Sequence, residues 1–106
     1  MKTNAAISIL FLALSGTAAF AGDSKAGQAA YEKSCKGCHG SSGSPNAAVA
    51  KMLSATIPDL SSAEVQGESD ADLKKIITEG KGKMKPIKTL TGPPDDVVAF
   101  LRTLKK

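Results

Sequence analysis

Large aromatic side chains are scarce in this sequence, which contains no tryptophan, one tyrosine and three phenylalanines. Histidine and cysteine are also rare, with one histidine and two cysteines in 106 residues. A structural zinc site needs about four ligands, so one histidine and two cysteines are too few to form such a site. Proteins that bind single-stranded nucleic acids stack bases on aromatic rings, and the scarcity of such rings argues against a nucleic-acid partner. We find no convincing strand pattern and no internal repeat.

Residues 1–21 have the pattern of a secretory signal peptide. Lys2 gives a positive start, residues 7–14 are almost entirely apolar, and residues 19–21 form an A-x-A cleavage site. The apolar run is shorter than the roughly 18 to 20 residues that a membrane-spanning helix needs. We therefore expect export, cleavage after Ala21, a periplasmic mature protein and no permanent membrane anchor.

The remainder, residues 22–106, is long enough for one small domain. Apolar residues recur at helical spacing before residue 35, between residues 69 and 80, and again after residue 94. These patterns predict a single all-α domain. A chain of this size buries only a modest core, and without large aromatic side chains another group must help to fill its interior.

The sequence Cys35-Lys36-Gly37-Cys38-His39 carries the most specific signal. On a helix, Cys35, Cys38 and His39 stand at i, i+3 and i+4 and share one face. C-x-x-C-H is the attachment signature of c-type haem, in which both thiols form thioethers and the histidine binds the iron. The alternatives are a redox dithiol, which is typical of a βαβ context, and a structural disulfide, which would not need His39. We expect one covalently attached haem c.

Residues 22–106 resemble a class I c-type cytochrome of bacterial type. The shared features, in chain order, are a first helix with Gly27 and Tyr31, the attachment motif, Pro58-Asp59-Leu60, a helix that ends at Gly80, a methionine loop and a last helix with Phe100. The resemblance implies a small cytochrome c-like helical domain wrapped around its haem. It also implies that the first and last helices cross, with Gly27 against Phe100. We expect Tyr31 to be an ordinary core residue.

In this family the carbonyl of a proline after the motif accepts the Nδ1 proton of the histidine, which fixes the orientation of the imidazole ring. Pro58 matches that role best because Leu60 follows it as in the family, and we expect both residues to contribute to haem binding. Pro45 is the alternative acceptor for His39.

The mature chain offers two methionines as the sixth iron ligand. Met52 lies on the expected inner face of a short helix over residues 46–53, so we expect it in the core. Met84 stands alone among lysines and glycines, and with Pro86 two residues later it resembles the distal loop of the family. We therefore expect Met84 opposite His39, because a thioether raises the reduction potential and suits an electron carrier.

The expected function is that of a soluble, monomeric carrier of single electrons, which is not an enzyme. The alternatives are a haem subunit of an oxidoreductase complex and a haem protein with an open sixth site that binds a ligand. Four lysines surround the methionine loop and could face an acidic redox partner, although solvation of the loop would also explain them. They are Lys81, Lys83, Lys85 and Lys88.

Overall fold

The computed structural model describes residues 22–106, so the signal peptide predicted for residues 1–21 lies outside the described residues. The described part of the chain contains helices and no β-strand, which confirms the predicted all-α fold class. None of its helices is long and apolar enough to cross a membrane. The helices are α1 (Ser24–Ser34), α2 (Lys36–His39), α3 (Ala47–Leu53), α4 (Ala63–Gln66), α5 (Asp70–Glu79) and α6 (Pro94–Thr103).

The helix ends follow from local sequence. Asp23 caps α1 by accepting the backbone N–H of Lys25 at 2.9 Å, and Ser69 caps α5 by accepting that of Asp72 at 3.1 Å. Gly80 ends α5 with a φ of 78°, a conformation that other residues adopt only with strain. These residues set the start of α1 and both ends of α5.

Residues 61–67 lie outside the stretches with helical spacing of apolar residues, and they contain the one-turn helix α4. Ser62 caps it, because its Oγ accepts the backbone N–H of Val65 at 3.3 Å. Val65 then points into the core and is 7% exposed. One turn of helix leaves too few residues for a periodic pattern, so periodicity could not reveal it.

The core lies where α1 crosses α6 and α5 packs on α6. The rings of Tyr31 and Phe100 meet there with their centroids 5.0 Å apart and their planes tilted by 53°. The remaining side chains are small or aliphatic, as the composition requires. The buried core residues are Ala30, Tyr31, Val65, Leu73, Ile77, Val97, Val98, Phe100 and Leu101.

The first and last helices cross as expected, and the part of α6 nearest to Gly27 is the backbone at Asp96 and Val97 rather than the ring of Phe100. A Cβ placed on Gly27 would lie 1.8 Å from the carbonyl oxygen of Asp96, so the backbones of α1 and α6 touch at this point. Phe100 lies one turn further along α6 and meets Tyr31, which lies one turn further along α1. A glycine is therefore needed at position 27 because the backbone of α6, rather than an aromatic ring, lies directly against it.

The prediction that Met52 is a core residue is wrong, since it is 76% exposed. Val49 and Leu53, which share its predicted inner face, are half-buried. Helix α3 makes its main helix contacts with α2 and lies beside, not within, the core formed by α1, α5 and α6. A short helix at the periphery covers only part of its apolar face.

Candidate functional site

Cys35, Cys38 and His39 are brought together on a single turn of helix. Cys35 ends α1 and begins α2, and its carbonyl accepts the backbone N–H groups of Cys38 at 3.2 Å and of His39 at 3.0 Å. Both cysteines are free thiols, with Cys35 half-buried and Cys38 exposed. Burial raises the pKa of the Cys35 thiol to about 11, and the neighbouring Cys38 adds to the effect.

Tyr31 connects this turn to the core, because its hydroxyl donates a hydrogen bond of 2.6 Å to the carbonyl of Gly40. Burial raises the pKa of Tyr31 to about 12, so the hydroxyl keeps its proton and remains a donor. Gly40 directly follows His39 and has a φ of 73°. Tyr31 thus joins the core to the end of the attachment motif. The sequence analysis assigned it to packing alone and did not foresee this bond.

His39 is half-buried, and desolvation lowers the pKa of its imidazole. The ring is therefore neutral at pH 7, which is the form that binds a metal. Its Nδ1 is buried and has no hydrogen-bond partner among the described residues. The predicted bond from Nδ1 to the carbonyl of Pro58, or of Pro45, is accordingly not present.

The segment that contains Pro58 and Leu60 is nevertheless tied to the loop that follows His39. The backbone N–H of Leu60 donates to the carbonyl of Gly43 at 3.0 Å. Gln66 donates from Nε2 to the carbonyl of Leu60 at 2.8 Å and to that of Leu101 at 2.9 Å. Gln66 is a residue that the sequence analysis missed, because its partners are backbone groups distant in sequence.

Met84 lies in a tight turn directly after α5. Its backbone exchanges two hydrogen bonds with Lys81, at 2.9 and 3.0 Å, and its side chain is half-buried. The chain then returns to α5, where the N–H of Ile87 donates to the carbonyl of Ile77 at 2.9 Å. The turn holds the Met84 backbone in one conformation.

These residues fit a haem better than a bare metal ion. Two free thiols and a neutral histidine with an unpartnered buried nitrogen share one helical turn. The described residues contain no group of three or more histidine, cysteine, aspartate or glutamate side chains that could hold a metal. Residues 49–60 and 84–90 also contribute half-buried aliphatic side chains, which suit the apolar surface of a porphyrin. They are Val49, Leu53, Ile57, Leu60, Met84, Ile87 and Leu90.

A groove on the surface lies between the start of α1, α5 and α6 and contains none of the predicted site residues. Ion pairs cross it, from Lys74 to Asp95 at 2.8 Å and from Arg102 to Asp70 at 2.7 Å. The Arg102 guanidinium also donates to the carbonyls of Gln66 and Glu68, at 2.8 and 2.6 Å. These ion pairs and hydrogen bonds link α6 to α5 and to the segment that precedes it.

Comparison with known proteins agrees with the chemistry of the site. Residues 22–101 match the family model described as cytochrome c oxidase, cbb3-type, subunit III. No curated protein matches the chain at a significant level. Among solved structures, the chain is similar to the KustC0563 c-type cytochrome, with 34% sequence identity and a TM-score of 0.58. That match covers 76% of this chain and 98% of the other.

Proposed function

The chain belongs to the c-type cytochromes, in the family that its residues 22–101 match, and on that premise we propose that it is a soluble periplasmic carrier of single electrons. Its cofactor is a covalently bound haem c, whose iron supplies the one-electron redox chemistry. Its role is electron transfer. The proposal extends this role to a free carrier, exported with cleavage after Ala21, with the whole of residues 22–106 as one domain.

We assign both thioethers to Cys35 and Cys38, and the proximal iron ligand to His39. The observation that carries this assignment is the single turn that brings the two free thiols and the half-buried imidazole together. Because burial keeps His39 neutral, the ring does not have to lose a proton before it binds iron. Tyr31 holds the end of this turn against the core and so limits its movement.

We assign the second axial ligand to Met84. The Met84 side chain is half-buried, and it extends from a tight turn. Two backbone hydrogen bonds across this turn fix the position of the Met84 backbone. Met52 is the less suitable candidate, because its side chain is 76% exposed. In this scheme Pro58 and Leu60 contribute contacts with the haem.

The partner of the carrier is proposed to be a redox protein with an acidic docking surface. Four exposed lysines lie on and beside the Met84 turn, and no acidic residue lies between them in the sequence. A surface of one charge sign speeds the association of oppositely charged partners and loses this effect in salt. The lysines are Lys81, Lys83, Lys85 and Lys88.

A second candidate function is that of a haem subunit docked on a larger oxidoreductase. It is favoured by the description of the matching family model as a subunit of an oxidase. The two candidates differ in their state after extraction without detergent. A free carrier should elute alone at the size of a monomer, whereas a docked subunit should elute with its complex.

The ligand assignment is tested with two matched methionine variants. In the oxidised protein, Met84→Ala should remove the sulfur-to-iron charge-transfer band and lower the reduction potential, because a soft ligand to the iron is lost. Met52→Ala should leave the band and the potential unchanged, since Met52 is exposed. The assignment is wrong if the two variants exchange these results. Wild-type protein that lacks the band and readily binds carbon monoxide would instead have an open sixth site.

A further inference from the structure

We propose that Lys83 is a positioning residue that holds the turn carrying Met84 against α3; this inference rests on the proposed function, in which Met84 is an iron ligand. The Nζ of Lys83 donates a hydrogen bond to the backbone carbonyl of Leu53, the last residue of α3. Within residues 22–106, this is the hydrogen bond that connects the Met84 turn with α3. Among the described residues, the side chains of Lys81, Lys85 and Lys88 make no such bond.

The carbonyl of Leu53 is well suited to receive a cation. The last carbonyls of a helix have no partner within the helix, and those of Ala50 and Lys51 are satisfied by the N–H of Ser54. Ser54 has a φ of 50° and ends α3, so the helix continues no further. Lysine side chains near a helix C-terminus can bond its final carbonyls, and Lys83 does so from a different segment of the chain.

The turn transmits this contact to Met84. Lys81 and Met84 exchange two backbone hydrogen bonds across it, so Lys83 lies within a turn that is closed by the backbone of Met84. On the side of α5 the turn is closely packed, because a Cβ on Gly80 would lie 2.5 Å from the carbonyl oxygen of Met84. Lys83 supplies a second attachment, to α3. Without it, the turn is held from α5 alone.

Helix α3 is in turn fixed to the attachment motif. The backbone N–H of Asn46, which caps α3, donates to the carbonyl of Cys38 at 3.0 Å, and its side chain donates to that of Gly37 at 3.4 Å. The bond from Lys83 to Leu53 therefore joins the segment with Met84 to an element anchored beside His39. It keeps the segments of the two proposed iron ligands together.

The experiment uses added imidazole as a probe that competes with Met84 for the ferric iron. Loss of the charge-transfer band reports displacement of the methionine. In Lys83→Met, half-displacement should require about fivefold less imidazole, which corresponds to the net loss of one hydrogen bond. Lys83→Arg keeps a donor and should stay close to wild type. Lys85→Met removes the same charge from the same exposed loop and should leave the imidazole requirement unchanged.

Amide hydrogen exchange at Met84 gives a readout that does not depend on the iron ligand. Exchange should be about fivefold faster in Lys83→Met and unchanged in Lys85→Met, because only the former releases the turn from α3. Equal effects of the two variants in both measurements would overturn the proposal, since they would show an effect of charge alone. If wild-type protein lacks the charge-transfer band, the Met84 assignment fails, and the exchange rates still decide whether Lys83 holds the turn.

Discussion

Replacement of Gly27 by alanine tests the crossing of α1 and α6. The added Cβ would lie 1.8 Å from the carbonyl oxygen of Asp96, whereas real Cβ atoms essentially never come closer than 3.0 Å, so the helices must separate by about 1.2 Å. The atom it meets belongs to the backbone and cannot rotate away. Overpacking typically costs about 1 to 3 kcal/mol, and the rigid neighbour places this site at about 3 kcal/mol.

Helix propensity acts in the opposite direction. Alanine in a helix interior is favoured over glycine by about 1 kcal/mol, so the net loss should be about 2 kcal/mol. For a domain of this size that loss corresponds to a fall in melting temperature of about 8 to 16 °C. Thermal unfolding of the haem-containing protein, followed by circular dichroism, measures it.

A control variant separates packing from propensity. Ala29 lies on the exposed side of α1, and Ala29→Gly should cost only the propensity difference of about 1 kcal/mol. If Gly27→Ala instead raises the melting temperature, propensity alone decides the outcome. The close contact of Gly27 with Asp96 would then be refuted.

Two further predictions concern side-chain hydrogen bonds. Tyr31→Phe keeps the ring against Phe100 but removes the hydrogen bond to Gly40. It should lower the melting temperature by about 4 to 8 °C, the equivalent of about 1 kcal/mol. An unchanged melting temperature would mean that this bond does not hold the motif. Hydrogen bonds from Ser61 lower the pKa of Asp59. The stability that these bonds provide is therefore fully present above the ordinary aspartate pKa of about 4, and it is lost as the pH falls through the lowered pKa. Ser61→Ala should raise the pKa of Asp59 in a carboxylate NMR titration only part of the way, because it removes the hydroxyl bond and keeps the bond from the backbone N–H of residue 61. A pKa identical to that of the wild type would exclude the Ser61 hydroxyl as a cause.

The sequence predicted the elements whose cause is local. The apolar stripe of α6, the helix between residues 69 and 80 and its end at Gly80 depend on residues within one or two turns, and the structure has each of them. The spacing of Cys35, Cys38 and His39 likewise required only one turn of helix. For the same reason these features could be read without knowledge of any distant contact.

The features that the sequence did not predict concern contacts between distant segments. Periodicity indicates that one face of a helix is apolar, but not which surface it meets, so Met52 was expected in the core although α3 lies at its edge. The resemblance placed Gly27 against Phe100 and could not show that the nearest atom is the backbone carbonyl oxygen of Asp96. Gln66 and Arg102 bond to backbone groups, which have no signature in the sequence.

The central claim is tested most directly by the intact mass of the protein isolated from the periplasm. The account predicts the mass of residues 22–106 plus one haem, which remains attached under denaturing conditions because two thioethers hold it. Cys35→Ala and Cys38→Ala together should abolish this attachment. A wild-type mass equal to the bare polypeptide would contradict the account.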